Sequence, residues 1–167
     1  MALVRKEVAS DAVAIDAVTV AAFHAAAHTS HTEQFIIRAL RNDGQLAVSL
    51  VADENGEVIG HVAVSPVAIS DGTPGWYGLG PISVAPERQG QGIGTFLMEH
   101  ALSELKALGA AGCVVLGEPS YYSRFGFTAE PALVLPGVPA EYFQAISLKG
   151  SLPRGEVKYH EAFDATA

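Results

Sequence analysis

The sequence predicts a single-domain α/β (α+β) protein with a mixed sheet in which antiparallel strands predominate. Its length is the first observation, because 167 residues can bury one hydrophobic core. The second is the turn Asp53-Glu54-Asn55-Gly56, which separates two strand-like segments and so indicates a β-hairpin. The third is a glycine-rich loop over 89–94, which lies in the one strand–helix–strand crossover. This combination is typical of a mixed layer architecture and not of a doubly wound sheet.

Hydrophobic periodicity and turn residues delimit the elements in order. Ser10 or Asp11 can cap the first helix, Asn42-Asp43-Gly44 ends the second, and Gly109 ends the third. Elements are predicted as a strand over 3–8, two helices that follow residues 11 and 30, strands over 46–52, 57–69 and 76–84, a helix over 92–108, a strand over 113–116, a helical turn over 119–124, and strands starting at 127 and over 143–148.

Two of these strands carry further expectations. Gly80 and Pro81 lie inside the strand over 76–84, which indicates a bulge or the close approach of a ligand. The strand over 143–148 is expected to be the last of the sheet. The whole chain, 1–167, is expected to form one domain.

Composition narrows the class of protein. A formal net charge of −8 argues against binding to nucleic acid and weakly favours a cationic substrate such as an amine. Cys113 is the only cysteine, so no internal disulfide can form, and its apolar neighbours favour a small buried side chain over a nucleophile. We find no signal-peptide pattern and no apolar run of membrane-spanning length. We therefore expect a cytoplasmic protein without a membrane partner.

The segment 82–95 is the strongest functional signal. A β-branched run ends at Pro86, three glycines follow at alternate positions, and an amphipathic helix starts directly behind them. This order directs several backbone N–H groups toward one spot in front of a helix N-terminus, which favours phosphate. The spacing fails the dinucleotide pattern Gly-x-Gly-x-x-Gly, and the loop lacks the Gly-Lys-Ser/Thr of the triphosphate loop. A glycine turn that only redirects the chain is the structural alternative.

The loop resembles the acetyl-CoA loop of the GCN5-related N-acetyltransferase (GNAT) family, which reads Gln/Arg-x-x-Gly-x-Gly/Ala. Residues 89–94, Gln-Gly-Gln-Gly-Ile-Gly, match it in full, although glutamine replaces the commoner arginine. In the family, loop N–H groups hold the CoA pyrophosphate, and the preceding strand splays from its neighbour and binds pantetheine and the thioester carbonyl. The resemblance implies acetyl-CoA as co-substrate, no metal, and cofactor-binding residues Ile82, Ser83, Val84, Gln89, Gly90, Gln91, Gly92, Ile93, Gly94 and Thr95.

A second motif extends the resemblance. Residues 116–127 are similar to the segment Leu-Gly-Asp-Pro-x-x-Tyr-x-Arg-Phe-Gly-Phe of the bacterial YhbS-like branch of the family. The order of elements matches over nearly the whole chain. The implied fold is therefore a GNAT-like domain with a central, mostly antiparallel, splayed sheet and helices on both faces.

Acetyl transfer needs a neutral amine, donors for an oxyanion and a proton for the departing thiolate. In the family a tyrosine four residues before the glycine of the Gly-Phe pair often gives that proton, which here is Tyr122; Tyr121 is the alternative, and a purely packing pair is a third. The oxyanion donor is implied to be a backbone N–H within 82–84. Glu118 is either a partly buried general base or a helix cap, and a water chain without a base residue stays open.

Several polar residues have less specific interpretations. His24, His28 and His31 have offsets that would suit a metal, but surface or substrate-wall positions are favoured. His61 is predicted to be a sheet residue and not a base. Glu33 either contacts a cationic acceptor or forms a capping box with Ser30, and we favour the cap.

The sequence thus predicts an enzyme that moves an acetyl group from CoA to a primary amine by direct attack in a ternary complex. A non-catalytic sensor of CoA or acyl-CoA is the alternative function. Expected partners are acetyl-CoA and an amine-bearing acceptor, and because many relatives dimerise, the resemblance leaves a homodimer open.

Overall fold

The computed structural model describes residues 2–167. Its strands are β1 (Leu3–Lys6), β2 (Val48–Glu54), β3 (Glu57–Ile69), β4 (Trp76–Val84), β5 (Gly112–Leu116), β6 (Thr128–Ala129), β7 (Leu133–Val134), β8 (Phe143–Ser147) and β9 (Gly155–Tyr159). Its α-helices are α1 (Ala12–Phe23), α2 (Glu33–Asn42), α3 (Ile93–Ala107) and α4 (Pro119–Tyr122), with short 3₁₀ turns between some elements. The predicted elements are found, with shifts of a few residues at their ends.

The strands form one sheet in the order β1-β2-β3-β4-β5-β8-β6. Neighbours along this order pair antiparallel except β4 and β5, which run parallel across the crossover through α3. The predicted mixed, mostly antiparallel sheet is therefore confirmed.

The parallel pair β4 and β5 separates soon after it forms. Trp76, Tyr77 and Gly78 pair with residues 112–114 of β5, and the pairing ends there. On its other side β4 stays with β3 to its end at Val84, apart from a register shift opposite Gly80-Pro81. The predicted bulge and the splay are both present. Residues 79–84 of β4 thus have one edge without a strand partner among the described residues.

Helices cover both faces of the sheet, because strand side chains alternate between faces. Leu50 of β2 and Val62 of β3 pack with Leu97 of α3 in one core. Their chain neighbours Val51 and Ala63 pack on the opposite face, with Ile15 of α1 and Ile37 of α2. The two helical layers predicted by the resemblance are confirmed.

The prediction that 143–148 is the last strand of the sheet is wrong. β9 lies further along the chain and pairs antiparallel with the far end of β3 and parallel with β7. Its outward-facing residues are the charged Glu156 and Lys158, and only Val157 is buried between them. Val157 and Tyr159 alternate with these charged residues, but two apolar residues in a strand of five make only a weak period-2 signal.

Candidate active site

A cavity of about 420 Å³ opens where β4 leaves β5. The end of β4, the glycine loop, the first turn of α3 and the segment after β5 surround it. Its lining residues are Ile82, Ser83, Val84, Arg88, Gln89, Gly90, Gly92, Ile93, Gly94, Thr95, Tyr121 and Arg124. All but one of the cofactor-binding residues predicted from sequence are in this set. The exception is Gln91, whose side chain bonds to the Arg88 Nε atom and the Glu87 carbonyl instead.

The glycine loop adopts a conformation that leaves its N–H groups free. Gly90 and Gly92 have φ angles of +78° and +84°, which L-residues other than glycine rarely adopt. Gly92 is the N-cap of α3, and its carbonyl accepts from the Phe96 N–H at 3.1 Å. Within residues 2–167, none of the N–H groups from Gly90 to Thr95 donates to a protein acceptor. This loop therefore presents donors to an anion at the positive end of a helix.

The unpaired edge of β4 forms the adjoining wall. The Ala85 N–H donates to the Ile59 carbonyl of β3 at 2.8 Å. Because backbone groups alternate in direction along a strand, Ile82 and Val84 direct theirs toward the open edge. The Val84 carbonyl accepts a hydrogen bond from Gln89 Nε2 at 3.1 Å, which fastens the loop to the end of the strand. The edge can therefore pair with an extended, amide-containing ligand.

Two arginines line the cavity, and they differ in whether a carboxylate pairs with them. Arg88 makes a two-pronged ion pair with Glu54, whose pKa falls to about 2 because of the hydrogen bonds from that guanidinium. Arg124 donates to Thr95 Oγ1 at 2.9 Å and lies 4.8 Å from the centroid of the Tyr121 ring. Within residues 2–167 it has no carboxylate partner. Sequence reasoning missed Arg124 as a site residue, although it lies in the same motif as Tyr122.

The matches to known proteins agree with this geometry. Residues 45–129 match the family model described as an acetyltransferase (GNAT) domain. The chain belongs to the GNAT family of N-acetyltransferases. The match spans both motifs, the glycine loop and the segment that ends at the Gly126-Phe127 pair. The family resemblance drawn from those motifs is confirmed.

Relatives of this GNAT protein include enzymes seen with CoA derivatives. A GNAT acetyltransferase from Brucella melitensis, solved with acetyl-CoA, is 46% identical with a TM-score of 0.88, and the match covers 98% of this chain and 99% of that one. Escherichia coli YhbS, solved with CoA, is 36% identical with a TM-score of 0.88 and coverage of 99% and 93%. Among curated proteins, the uncharacterized N-acetyltransferase YhbS of E. coli K12 is 40% identical over 126 residues, which is 75% of this chain and 72% of YhbS.

The two tyrosines that follow β5 occupy different positions. Tyr121 lines the cavity, and its ring stands edge-on to that of Tyr122 with centroids 5.0 Å apart. Tyr122 lies deeper, against Gly117 and edge-on to Phe127 at 6.1 Å. Burial and the neighbouring Tyr121 raise the pKa of Tyr122 to about 12. Tyr122 therefore carries its phenolic proton at neutral pH.

The structure does not give Glu118 the partial burial expected of a general base. Its side chain is exposed, and its carboxylate accepts a hydrogen bond from Ser120 Oγ at 3.4 Å. Glu118 is the N-cap residue of α4, but its side chain accepts no hydrogen bond from the N–H groups of that helix. The Glu118 backbone carbonyl instead accepts from the N–H groups of Tyr121 and Tyr122 at 3.1 and 3.2 Å.

The three histidines near the early helices are exposed, and Glu33 makes local hydrogen bonds. His24, His28 and His31 are exposed in the irregular segment after α1. Glu33 is the first residue of α2 and not the third, so the capping box with Ser30 does not form as predicted. Its carboxylate still accepts from the Thr29 hydroxyl at 2.7 Å and from the Ser30 N–H at 3.3 Å.

Asp11 is the N-cap of α1 but does not cap it with its side chain. Its carboxylate accepts from the Val8 N–H at 2.7 Å and from Arg5 at 2.8 Å. Cys113 is buried, and burial raises the pKa of its thiol far above the usual range. This confirms the interpretation of Cys113 as a buried apolar side chain.

In the described part of the chain, one cluster has the spacing to hold a metal ion: Asp43, His160 and Glu161, on the surface and outside the cavity. His160 Nδ1 in that cluster already accepts the Ala162 N–H at 3.0 Å. None of the helices described has both the length and the apolar surface needed to span a bilayer.

Proposed function

We propose that this GNAT protein transfers an acetyl group from acetyl-CoA to a primary amine by direct attack in a ternary complex. One observation carries the proposal. The free N–H groups of residues 90–95 and the unpaired edge of β4 meet in a single cavity. An anionic pyrophosphate fits the first, and the amides of a pantetheine arm fit the second.

The cofactor would be held by charge at one end and by strand pairing at the other. The pyrophosphate would lie against the N–H groups of the loop, where the dipole of α3 adds positive potential. Arg124 supplies a full positive charge at the same rim, which offsets the absence of an arginine at position 89. The thioester would then reach the open edge of β4 near Ser83. The co-crystallised relatives carry acetyl-CoA or CoA, which supports this assignment.

The reaction would proceed without an acyl-enzyme intermediate. The neutral amine attacks the thioester carbon, a C–N bond forms, and the C–S bond breaks as the thiolate of CoA departs. Backbone N–H groups from Ile82 or Val84 would stabilise the oxyanion, because β5 does not occupy them. Tyr122 would donate its phenolic proton to the thiolate and regain a proton from solvent after CoA leaves. The buried, protonated Cys113 offers no competing nucleophile.

Tyr121 is a second candidate for the proton donor, because it lines the cavity directly. Its hydroxyl lies over Gly94, at the loop side, where the phosphates would bind. We assign Tyr121 to packing against the cofactor and Tyr122 to proton transfer, since Tyr122 lies nearer the end of β5, where the sheet opens.

Calorimetry with acetyl-CoA and an assay for CoA thiol release with a panel of primary amines test the proposal together. We expect binding, and thiol release that depends on one class of amine. Binding without release for any amine would favour the sensor function instead. Failure to bind acetyl-CoA would overturn both.

A further inference from the structure

His61 is a fully buried histidine in the middle of β3, with 0% of its surface exposed. Its Nε2 atom lies 2.8 Å from Ser49 Oγ on β2 and 3.8 Å from the Glu7 carboxylate that follows β1. Glu7 also binds Arg41 of α2 through two hydrogen bonds of 2.8 and 3.0 Å. The buried His61 ring is therefore the last member of a hydrogen-bonded series that runs from Arg41 through Glu7 and Ser49.

The hydrogen bonds in this chain determine which ring nitrogen of His61 carries the proton. The Ser49 hydroxyl donates to Glu7, whose carboxylate can only accept. Ser49 has a single hydroxyl hydrogen, so its oxygen must accept from His61. The Nε2 atom is thus the N–H donor, and Nδ1 carries an unprotonated lone pair.

The Nδ1 atom is buried and has no hydrogen-bond partner within residues 2–167. Ser83 of β4 stands directly opposite His61, on the same face of the sheet. Its hydroxyl oxygen is also buried and has no partner in the described part of the chain, and Ser83 lines the cavity described above. Opposed residues of antiparallel strands have Cβ atoms about 5 Å apart, a separation that one water molecule can bridge.

We infer that His61 takes up the proton released by the acceptor amine, through Ser83 and a bridging water. This inference rests on the proposed acetyltransferase function. The amine nitrogen passes a proton to the Ser83 hydroxyl or its water, and a proton from that group moves to Nδ1. His61 becomes an imidazolium whose Nε2–H still points to Ser49 and Glu7. After the product departs, His61 releases its proton to solvent and the Tyr122 phenolate takes one up from solvent, so both side chains return to their starting states. Because His61 acts through Ser83, it is a positioning residue for deprotonation.

The charges around His61 suit a base at neutral pH. Burial is the largest influence and lowers the pKa of His61, while the nearby Glu7 carboxylate raises it. Arg41 opposes ionisation, and Asp11, in the turn before α1, favours it. The pKa of His61 is on balance below its ordinary value. The ring is therefore neutral and able to accept a proton at pH 7.

Nitrogen-15 NMR of the wild-type protein tests the tautomer without any acceptor. We expect the His61 ring to show an unprotonated Nδ1 and a protonated Nε2 at pH 7. The opposite tautomer would overturn the inference and leave the proposed function untouched.

Kinetics with the amine that gives the fastest thiol release test the role. In His61→Gln the side-chain amide can still donate to Ser49, but it cannot titrate. We expect kcat/KM at pH 7 to fall about 100-fold, as for loss of a general base, and the acidic limb of the pH profile to disappear. Ser83→Ala should lower kcat/KM in the same direction with His61 intact. His100→Gln, an exposed histidine of α3, is the matched control and should change nothing.

Acetyl-CoA affinity and melting temperature show whether His61→Gln remains folded. If that variant does not fold, the kcat/KM of Ser83→Ala tests the proton path instead. An unchanged pH profile in His61→Gln, or full activity in Ser83→Ala, would overturn the inference alone. Absence of transfer by the wild-type protein with every amine would overturn the proposed function itself.

Discussion

The Tyr121 hydroxyl covers Gly94, standing 2.8 Å from the position that a Cβ atom on that glycine would occupy. The first turn of α3 and the segment after β5 thus touch across the mouth of the cavity. A methyl group at position 94 would displace the Tyr121 ring. The two motifs that identified the family therefore meet at one point in space.

Gly92→Ala should separate cofactor binding from stability when compared with Gly72→Ala. Both glycines have φ near +84°, at +84° and +83°, with open space where a Cβ would stand. Each substitution should cost about 1–2 kcal/mol of stability through left-handed backbone strain. Only Gly92→Ala should also weaken acetyl-CoA binding, because only Gly92 orients the donor loop. Thermal unfolding and calorimetry measure the two effects, and equal losses of affinity would contradict the placement of the cofactor.

Tyr122→Phe should lower kcat by about 100-fold or more, in the range for loss of a general acid, with little change in acetyl-CoA affinity. Tyr121→Phe removes a hydroxyl from the neighbouring ring and is its matched control, expected to change affinity more than kcat. Since burial raises the pKa of Tyr122 to about 12, its ionisation should not reduce activity as the pH rises from 8 to 10. If kcat fell in Tyr121→Phe and not in Tyr122→Phe, the acid role would belong to Tyr121.

Arg124→Ala should weaken binding of acetyl-CoA about 10- to 100-fold, as expected for loss of a charge-assisted hydrogen bond of roughly 1.5–3 kcal/mol. The loss should shrink at high salt, because the contact is partly exposed. Arg154→Ala removes an exposed arginine outside the cavity and should leave affinity unchanged. Calorimetry at two salt concentrations measures both variants, and wild-type affinity in Arg124→Ala would rule Arg124 out as a phosphate contact.

Glu7→Gln should destabilise the fold at pH 7 by about 2 kcal/mol, because it leaves the partly buried Arg41 without its charge partner. Burial opposes ionisation of Glu7, but the nearby His61 ring and the hydrogen bonds from Arg41 and Ser49 outweigh it and hold its pKa well below 4.5. A carboxyl whose pKa is lowered by folding stabilises the folded state at any pH above its pKa in the unfolded chain. This stabilisation is lost as the pH falls toward the pKa in the folded state. The gap between variant and wild type should therefore narrow below pH 4.5.

Urea unfolding over a pH series measures that gap. Glu141→Gln, at an exposed acid, is the control and should match the wild type throughout. A gap that did not depend on pH would show that Glu7 is not ionised in the folded protein.

The sequence was informative where local chemistry determines the structure. Glycines at alternate positions before an amphipathic helix predicted the loop, because only a few chain conformations join those elements. The same local signals predicted the hairpin around Asn55-Gly56 and the bulge at Gly80-Pro81. Turn residues and hydrophobic period act over a few residues, so they can be read directly.

What could not be predicted depends on contacts between distant segments. Glu118 was considered as a partly buried base, but its side chain is exposed. His61 was interpreted as an ordinary sheet residue, because its connection to Glu7 requires the pairing of β1, β2 and β3. The partner of Arg88, Glu54, lies 34 residues away along the chain and was equally invisible.

The most direct measurement is transfer of an isotope-labelled acetyl group from acetyl-CoA to a primary amine, followed by mass spectrometry of both the small molecules and the intact protein. We predict one acetylated amine for each CoA thiol released, no acetyl group on the protein when the amine is omitted, and loss of product in Tyr122→Phe. Label that accumulated on the protein, or bound acetyl-CoA that gave no acetylated amine, would contradict direct transfer at this cavity.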